Sequence, residues 1–379
     1  MELYVHIPFC ERKCGYCDFL SFPADDVYKK AYVDQLVAEI RAQGAFYKNY
    51  QVSTIFIGGG TPTSLKGVWI ANILSAIYES FILESGAEIT MECNPGTLSP
   101  GKLEYIKQSG VNRISFGLQS SVDAELATLG RIHTYGDFLT GYQMAREAGF
   151  QNINIDLMSG IPLQTLDSYR DTLRRVCMLK PEHISAYSLI VEENTPFYAK
   201  YGGEGQVFLP SEEADRQMYH LTRRVLAEQG YERYEISNYA KKGRECRHNM
   251  GYWTGVEYLG LGLGAYSYLM HRRFHVERDF RTYMSLDLKQ DITPLYRDLT
   301  LQGMREDMEE FMFLGLRLTR GVSLHEFNRR FGLDMFIVFE KAIGINMQRG
   351  LLEYKAPFLR LTEFGLDVSN MVMSDFILD

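Results

Sequence analysis

The feature that most restricts what this chain can fold into is an alternation. Six short apolar runs in the first half read as strands: Leu3–Ile7, Thr54–Ile57, Glu88–Glu92, Arg113–Phe116, Asn152–Leu157 and His183–Leu189. Stretches of helical periodicity separate them, over Tyr28–Gln43, Val68–Tyr78, Pro100–Ser109, Val122–Leu129, Asp137–Glu147 and Leu166–Leu179. In the first of these Tyr32, Val33, Leu36, Val37 and Ile40 recur at spacings of three and four, which marks one buried helix face. Successive βα units dictate parallel strands joined by right-handed crossovers. Eight units close a barrel, so six predict an α/β fold built on a partial, open (β/α)6 barrel. Its chemistry should gather at the C-terminal strand ends.

After about residue 195 the alternation stops. Gly202-Gly203-Glu204-Gly205 reads as a loop, followed by a helix near Met218–Gln229, a strand at Arg233–Ile236 and a glycine-rich run from Gly260 to Gly264. From about Glu309 the pattern turns helical, with Ser323-x-x-Glu326 as a capping box. Strands near Leu351–Tyr354 and Phe358–Leu361 then suggest a small α+β, winged-helix-like C-terminal domain. The expected division is residues 1–195 for the partial barrel, 196–300 for an extension of it and 301–379 for the C-terminal domain. A chain of 379 residues with 46% hydrophobic side chains can supply a core to one large and one small unit.

Charge narrows the partners. A net charge of −8 with no basic arm argues against nucleic acid, whose affinity comes mainly from Lys and Arg neutralising phosphates. The N-terminus has neither the basic nor the apolar region of a signal peptide, and no run of about 18 apolar residues occurs. A cytoplasmic protein without a membrane span is therefore expected. Transient docking to a membrane-bound partner needs no such span and stays open.

Three of the six cysteines crowd into eight positions, as Cys10-x3-Cys14-x2-Cys17 directly after the first strand. That is not a disulfide framework spread over a small secreted domain. Thiolates suit zinc or an iron–sulfur cluster, and a [4Fe–4S] cube normally takes four, so three leave one iron open. An open position is where a cofactor or substrate binds. Zinc completed by His6 is the other reading, although closed zinc sites usually pair their ligands in two knuckles. Cys93, Cys177 and Cys246 are scattered, as small buried hydrophobes are.

The later strand ends carry polar groups in turn. The second ends in Gly58-Gly59-Gly60-Thr61-Pro62, where glycines allow close approach of backbone to a ligand and can present amides to an anionic group. The third ends in Glu92-Cys93-Asn94-Pro95, the fourth at Gln119-Ser120 and the fifth begins its exit at Asp156. One carboxylate or amide per strand end is what a site on the barrel rim requires.

The cysteine spacing at the end of the first strand resembles the signature of the radical SAM superfamily. That resemblance implies a [4Fe–4S] cluster on Cys10, Cys14 and Cys17, with the amino and carboxylate groups of S-adenosylmethionine on the fourth iron. In the superfamily, electron transfer then cleaves the sulfonium to a 5′-deoxyadenosyl radical. It further implies that Gly59, Gly60 and Thr61 meet the amino end of the cofactor's methionine. Glu92 and Asp156 suit ribose hydroxyls and Arg131 a carboxylate, with Gln119, Tyr4 and Tyr16 completing the cofactor-binding set.

Tyr4-Val-His-Ile-Pro-Phe-Cys10 and Arg113-Ile-Ser-Phe-Gly-Leu-Gln-Ser120 resemble the oxygen-independent coproporphyrinogen III oxidase-like branch. Two families compete there, the oxidase and the HemW heme chaperones. The oxidase usually has Cys-x-Cys at the end of the cluster motif and a substantial N-terminal extension. Here Cys17 is followed by Asp18-Phe19 and the motif starts at residue 10. Cys246-Arg247-His248-Asn249-Met250-Gly251-Tyr252-Trp253 carries the H-N-x-x-Y-W sequence of the HemW family, and the likeness continues to Gly365–Asn370.

The resemblance implies a heme chaperone that binds a cluster, S-adenosylmethionine and heme and passes heme to an acceptor protein it does not identify. His248 offers an imidazole to heme iron, Tyr252 and Trp253 offer flat apolar surface, and Cys246 offers an alternative thiolate. In the plainer reading His248 and Asn249 tie a loop to the barrel and Trp253 is core. Tyr266 stands where the family often has a histidine, so a second ligand of that kind is missing. Porphyrin decarboxylation of the oxidase type, heme-degrading methyl transfer and a winged-helix regulator sensing through its cluster are the other readings.

Overall fold

The structure, a computed structural model, describes residues 1–289 and 291–378. Six strands, β1 (Glu2–Ile7), β2 (Gln51–Gly59), β3 (Ile82–Cys93), β4 (Arg113–Gln119), β5 (Ile153–Ser159) and β6 (His183–Ser188), pair in parallel in sequence order. Each of the six apolar runs falls on one of them. The helices between are α1 (Asp26–Tyr47), α2 (Gly67–Ser80), α3 (Pro100–Gln108), α4 (Asp123–Leu129), α5 (Tyr135–Glu147) and α6 (Leu166–Met178), the fourth connection carrying two.

The chain beyond residue 195 extends both edges of the same sheet. A short helix α7 (Pro196–Tyr201) and a 3-10 turn over Gly203–Phe208 stand where the glycines suggested only loop, and α8 (Glu212–Glu228) comes next. The strand expected at Arg233–Ile236 is instead a small hairpin, β7 (Glu232–Arg233) and β8 (Asn238–Ala240), with β8 antiparallel to β6. After α9 (Arg247–Thr254), β9 (Tyr258–Leu261) joins the other edge parallel to β1. β10 (Tyr266–Leu269), β11 (Arg272–Val276), α10 (Phe280–Ser285) and β12 (Tyr296–Leu301) complete a twelve-stranded sheet. β1 thus lies inside the sheet, between β2 and β9.

The C-terminal region places α11 (Met304–Gly315), β13 (Val322–Ser323), α12 (Leu324–Phe331), α13 (Met335–Val338) and α14 (Glu340–Gln348) before the hairpin β14 (Leu352–Lys355) and β15 (Phe358–Leu361). The three strands form an antiparallel sheet in the order β13-β15-β14. Only half of the expected capping box exists: Ser323 Oγ accepts from the Glu326 N–H at 3.3 Å. The Glu326 carboxylate turns instead to Arg329 and Arg330, whose charges outcompete a backbone amide. This region has its own core, including Met312, Phe327, Phe339 and Phe376. The larger core runs from Leu3 to Leu295. Among the described residues no helix is long and apolar enough to cross a membrane.

α1 shows how this frame fixes the end of β1. Tyr32, Val33, Leu36 and Ile40 are fully buried, each worth about 1.5–3 kcal/mol of transfer free energy. The periodicity did not reveal Glu39, which is buried on the same helix and accepts from Tyr283 Oη (2.7 Å) and from the Gly262 N–H (3.1 Å). Tyr32 Oη donates to His6 O at 2.7 Å and accepts from the Leu263 N–H at 3.0 Å. It clamps the last turn of β1 to the loop after β9. Tyr32→Phe should cost about 1–2 kcal/mol by leaving both backbone groups unpaired, which urea denaturation measures.

Candidate functional site

The C-terminal ends of β1 to β6 enclose a cavity of about 370 Å³. Cys10, Cys14 and Cys17 line one side of it, all three unpaired as disulfides. Two donors approach their sulfurs: Thr61 Oγ1 lies 3.6 Å from Cys10 Sγ and Arg131 Nη1 3.6 Å from Cys14 Sγ. Burial raises the Cys17 thiol above its ordinary value. Among the described residues no three His, Cys, Asp or Glu side chains converge on a single point that would hold one metal ion. Three free cysteines on one cavity supply three soft thiolate donors, the ligand type an iron–sulfur cluster takes. Zinc completed by His6 is overturned, because both nitrogens of that ring are used, Nδ1 at 3.0 Å from Tyr4 Oη and Nε2 at 2.9 Å from Leu20 O.

Gly59, Gly60 and Thr61 also line the cavity, but their amides are spent within the protein. The Gly60 N–H donates to Ile7 O (2.8 Å), that of Thr61 to Phe9 O (2.7 Å) and that of Gly59 to Glu92 Oε2 (3.1 Å). An anion-binding row of amides is therefore corrected to a packing requirement. Gly59 has φ +110°, and a Cβ there would sit 2.5 Å from the His6 ring; at Gly60 it would lie 2.7 Å from Phe9 O.

Glu92, Gln119, Arg131 and Asp156 line the same cavity, brought together from three strands and the loop after α4. Glu92 is pushed up to about 7 by burial, with the Asp156 charge as a second cause. Asp156 is raised by its own burial, although Asn154 Nδ2 (2.7 Å) and Ser115 Oγ (3.3 Å) donate to it. Gln119 adopts φ +74°, unusual for a residue with a Cβ, at a break in the β4–β5 register. Its Oε1 accepts from Tyr187 Oη at 2.9 Å. Arg131 donates to Gly117 O at 2.5 Å and to Asn94 Oδ1 at 3.4 Å. Tyr16 lines the same space, its ring edge-on to Phe197.

Tyr187 escapes the reading of the sequence, and Asn94 enters it only as part of the third strand-end motif, without a role. Tyr187 ends β6, where the strand-end rule applies as well as on β3 to β5. Asn94 holds both Arg131 and His133 Nδ1 (3.1 Å), and burial followed by the Arg131 charge lowers His133 to about 4.

Tyr4 and His248 lie elsewhere. Tyr4 points to a second cavity, of about 720 Å³, which borders the first and shares Asp18 and Phe19 with it. His248 is 1% exposed on α9 and does not line either cavity. Its Nδ1 meets Thr54 Oγ1 at 2.7 Å, its Nε2 meets Tyr252 Oη at 2.9 Å, and its ring stacks on Phe56. Burial pushes it down to about 3, so it stays neutral. With no free nitrogen, it ties α9 to β2 rather than presenting a ligand to heme. Cys246 is equally enclosed, 3.6 Å from Glu88 Oε1, and burial pushes its thiol up to about 12. Of that motif Tyr252 and Trp253 do reach the second cavity.

A carboxyl group whose folded pKa stands near 7, above its ordinary value of 4.5, costs stability once it ionises. That cost is absent below about pH 4.5 and grows as pH rises to about 7. Glu92→Gln removes it. In urea denaturation of the metal-free protein the variant should gain on the order of 2 kcal/mol over wild type at pH 8 and nothing at pH 4.5.

The chain matches the model of the Radical SAM superfamily over residues 4–176 and that of the HemN C-terminal domain over residues 304–368. It is 37% identical to the heme chaperone HemW of Bacillus subtilis, covering 99% of this chain and 98% of that one. Identity to heme chaperone HemW of Lactococcus lactis is 34%, over 99% and 97%. Its fold is similar to that of coproporphyrinogen III oxidase (HemN) from Escherichia coli, with a TM-score of 0.87 at 22% identity, covering 99% of this chain and 89% of the other. A parallel strand core ending in a three-cysteine cavity, continued into a HemN-type C-terminal region and matched from end to end, makes this chain a radical SAM protein of the HemN-like branch and a member of the HemW family.

Proposed function

We propose that this protein is a heme chaperone: it binds heme beside a cluster and cofactor site and passes it to an acceptor protein. The observation that carries the reading is likeness along essentially the whole of both chains to proteins named heme chaperone HemW. The second cavity agrees with it, since it is large, mostly apolar, walled by aromatic rings and adjacent to the cysteines.

In this reading Cys10, Cys14 and Cys17 hold a [4Fe–4S] cluster, and S-adenosylmethionine occupies the 370 Å³ cavity. When bound, the cluster would supply one-electron reducing power to a cofactor held at its fourth iron. The protein's own groups orient the cofactor. Glu92 and Asp156 accept from ribose hydroxyls, and their shared burial makes that acceptance stronger than in water. Arg131 bridges from Cys14 to Gly117 and Asn94, so it sets the cysteine loop against β4 and offers its remaining charge to a carboxylate. Gln119 and Tyr187, locked to one another, close the far wall. Asp18 and Phe19 belong to both cavities, so that cofactor binding on one side is felt on the heme side.

The test is an anaerobic titration of cluster-loaded protein with heme, followed at the Soret band, then mixing with an apo-hemoprotein. Saturable binding and subsequent transfer, with coproporphyrinogen III left intact in the presence of cofactor and reductant, is the expected result. Consumption of coproporphyrinogen III would favour the decarboxylase reading. Loss of the heme absorption together with cofactor consumption would favour methyl transfer.

A further inference from the structure

The second cavity lies where three parts of the chain meet: the loop Asp18–Leu20, the antiparallel edge β9 to β11, and α11 with α12 of the C-terminal region. Two histidines line it, His6 and His271. His6 has both nitrogens engaged. His271 does not: Nδ1 bonds Asp307 Oδ2 at 2.5 Å, and Nε2 has no partner among the described residues. The Asp307 carboxylate is held from its other oxygen by Tyr268 Oη at 3.1 Å.

This is the arrangement a metal-binding imidazole needs. A carboxylate on one ring nitrogen fixes the tautomer and orientation and makes the other nitrogen a better donor. Met270 and His271 form the two-residue turn between β10 and β11 with φ of +51° and +56°, a geometry that matches the twist of the flanking strands and fixes the backbone from which His271 projects. His271 remains 67% exposed in its side chain, at the mouth of the cavity.

The cavity's walls and cations fit one ligand class. Tyr252, Trp253 and Phe311 supply flat apolar surface, whereas Arg273 is neutralised by Glu310. The Arg278 guanidinium, also at the cavity, has no carboxylate partner among the described residues and bonds only Tyr266 Oη, at 3.5 Å, while the Arg278 backbone N–H donates to Glu277 Oε1 at 2.7 Å. A free cation at the rim, aromatic walls and an aspartate-backed imidazole together call for a flat apolar metal complex bearing carboxylates.

Resting on the heme-chaperone reading, we propose that heme occupies this second cavity, with His271 Nε2 as an axial ligand positioned by Asp307 and with Arg278 pairing a propionate. His248 of the H-N-x-x-Y-W segment acts beneath the site, by holding α9 in place so that Tyr252 and Trp253 can form its wall.

The experiment is heme titration of the full chain, wild type and variants, read by Soret position, affinity and ferric/ferrous midpoint potential. His271→Ala, at an exposed turn and checked for folding by circular dichroism, should weaken binding about tenfold or more and lose the histidine-ligated spectrum, which added imidazole restores. Asp307→Asn should keep the ligand but raise the midpoint potential. Arg278→Ala should weaken binding of heme and leave that of heme dimethyl ester unchanged. If wild type itself binds no heme, the chaperone reading fails. If wild type binds and His271→Ala binds with the same spectrum and affinity, only the assignment of His271 is overturned. Loss of ligation in Tyr266→Phe with His271→Ala unaffected would overturn it in favour of the phenol.

Discussion

The whole site hangs on how closely β2 passes the end of β1. Gly59 and Gly60 have no Cβ, so β2 can lie against the His6 ring and the Phe9 carbonyl at distances no other residue allows. The amides of Gly60 and Thr61 then bond Ile7 and Phe9, and Thr61 Oγ1 reaches Cys10. From the other side Tyr32 holds His6. The exit of β1 is thereby fixed in two directions, and the cysteine loop leaves from a rigid point. The Gly59 N–H continues the chain of contacts to Glu92, linking the cysteine wall to the carboxylate wall across one strand.

That rigidity is set against deliberate local cost. Glu92 and Asp156 are buried near one another, and both are harder to ionise than in water. Gln119 sits in a left-handed conformation and Arg131 is shared among three acceptors. Groups in such environments are stabilised by a ligand that supplies hydroxyls and charge, and they cluster where chemistry or binding occurs. The second cavity is about twice as large and is walled by the aromatic rings of Tyr252, Trp253 and Phe311. Asp18 and Phe19 are the physical boundary between them.

Much of this could be read from the sequence, because parallel βα units force both the topology and the location of the site. The six strands and the cysteine loop emerge from period and spacing, and Glu92, Gln119 and Asp156 from their places on successive strands, whereas Arg131, which lies on no strand, emerges only from family likeness. Other features lay beyond that reading. Glu39 interrupts an apolar face with a buried acid whose partners, Gly262 and Tyr283, are more than 200 residues away. β9 joins β1 across a similar separation, which periodicity does not encode. His248 shows the limit most clearly. A histidine beside two aromatics is equally a ligand or a buried anchor by composition, and only the bonds to Thr54 and Tyr252 separate the two. His271 passed unnoticed because its partner Asp307 belongs to the C-terminal region.

The central claim is that three cysteines leave one cluster iron open to S-adenosylmethionine in the cavity between Cys10 and Asp156. Electron paramagnetic resonance of the reduced, reconstituted protein tests it directly. Addition of S-adenosylmethionine should shift the g values of the [4Fe–4S] signal in wild type, and Glu92→Gln should raise the cofactor concentration needed. A signal indifferent to the cofactor at saturating concentration, or a protein that retains zinc instead of a cluster, would contradict the account.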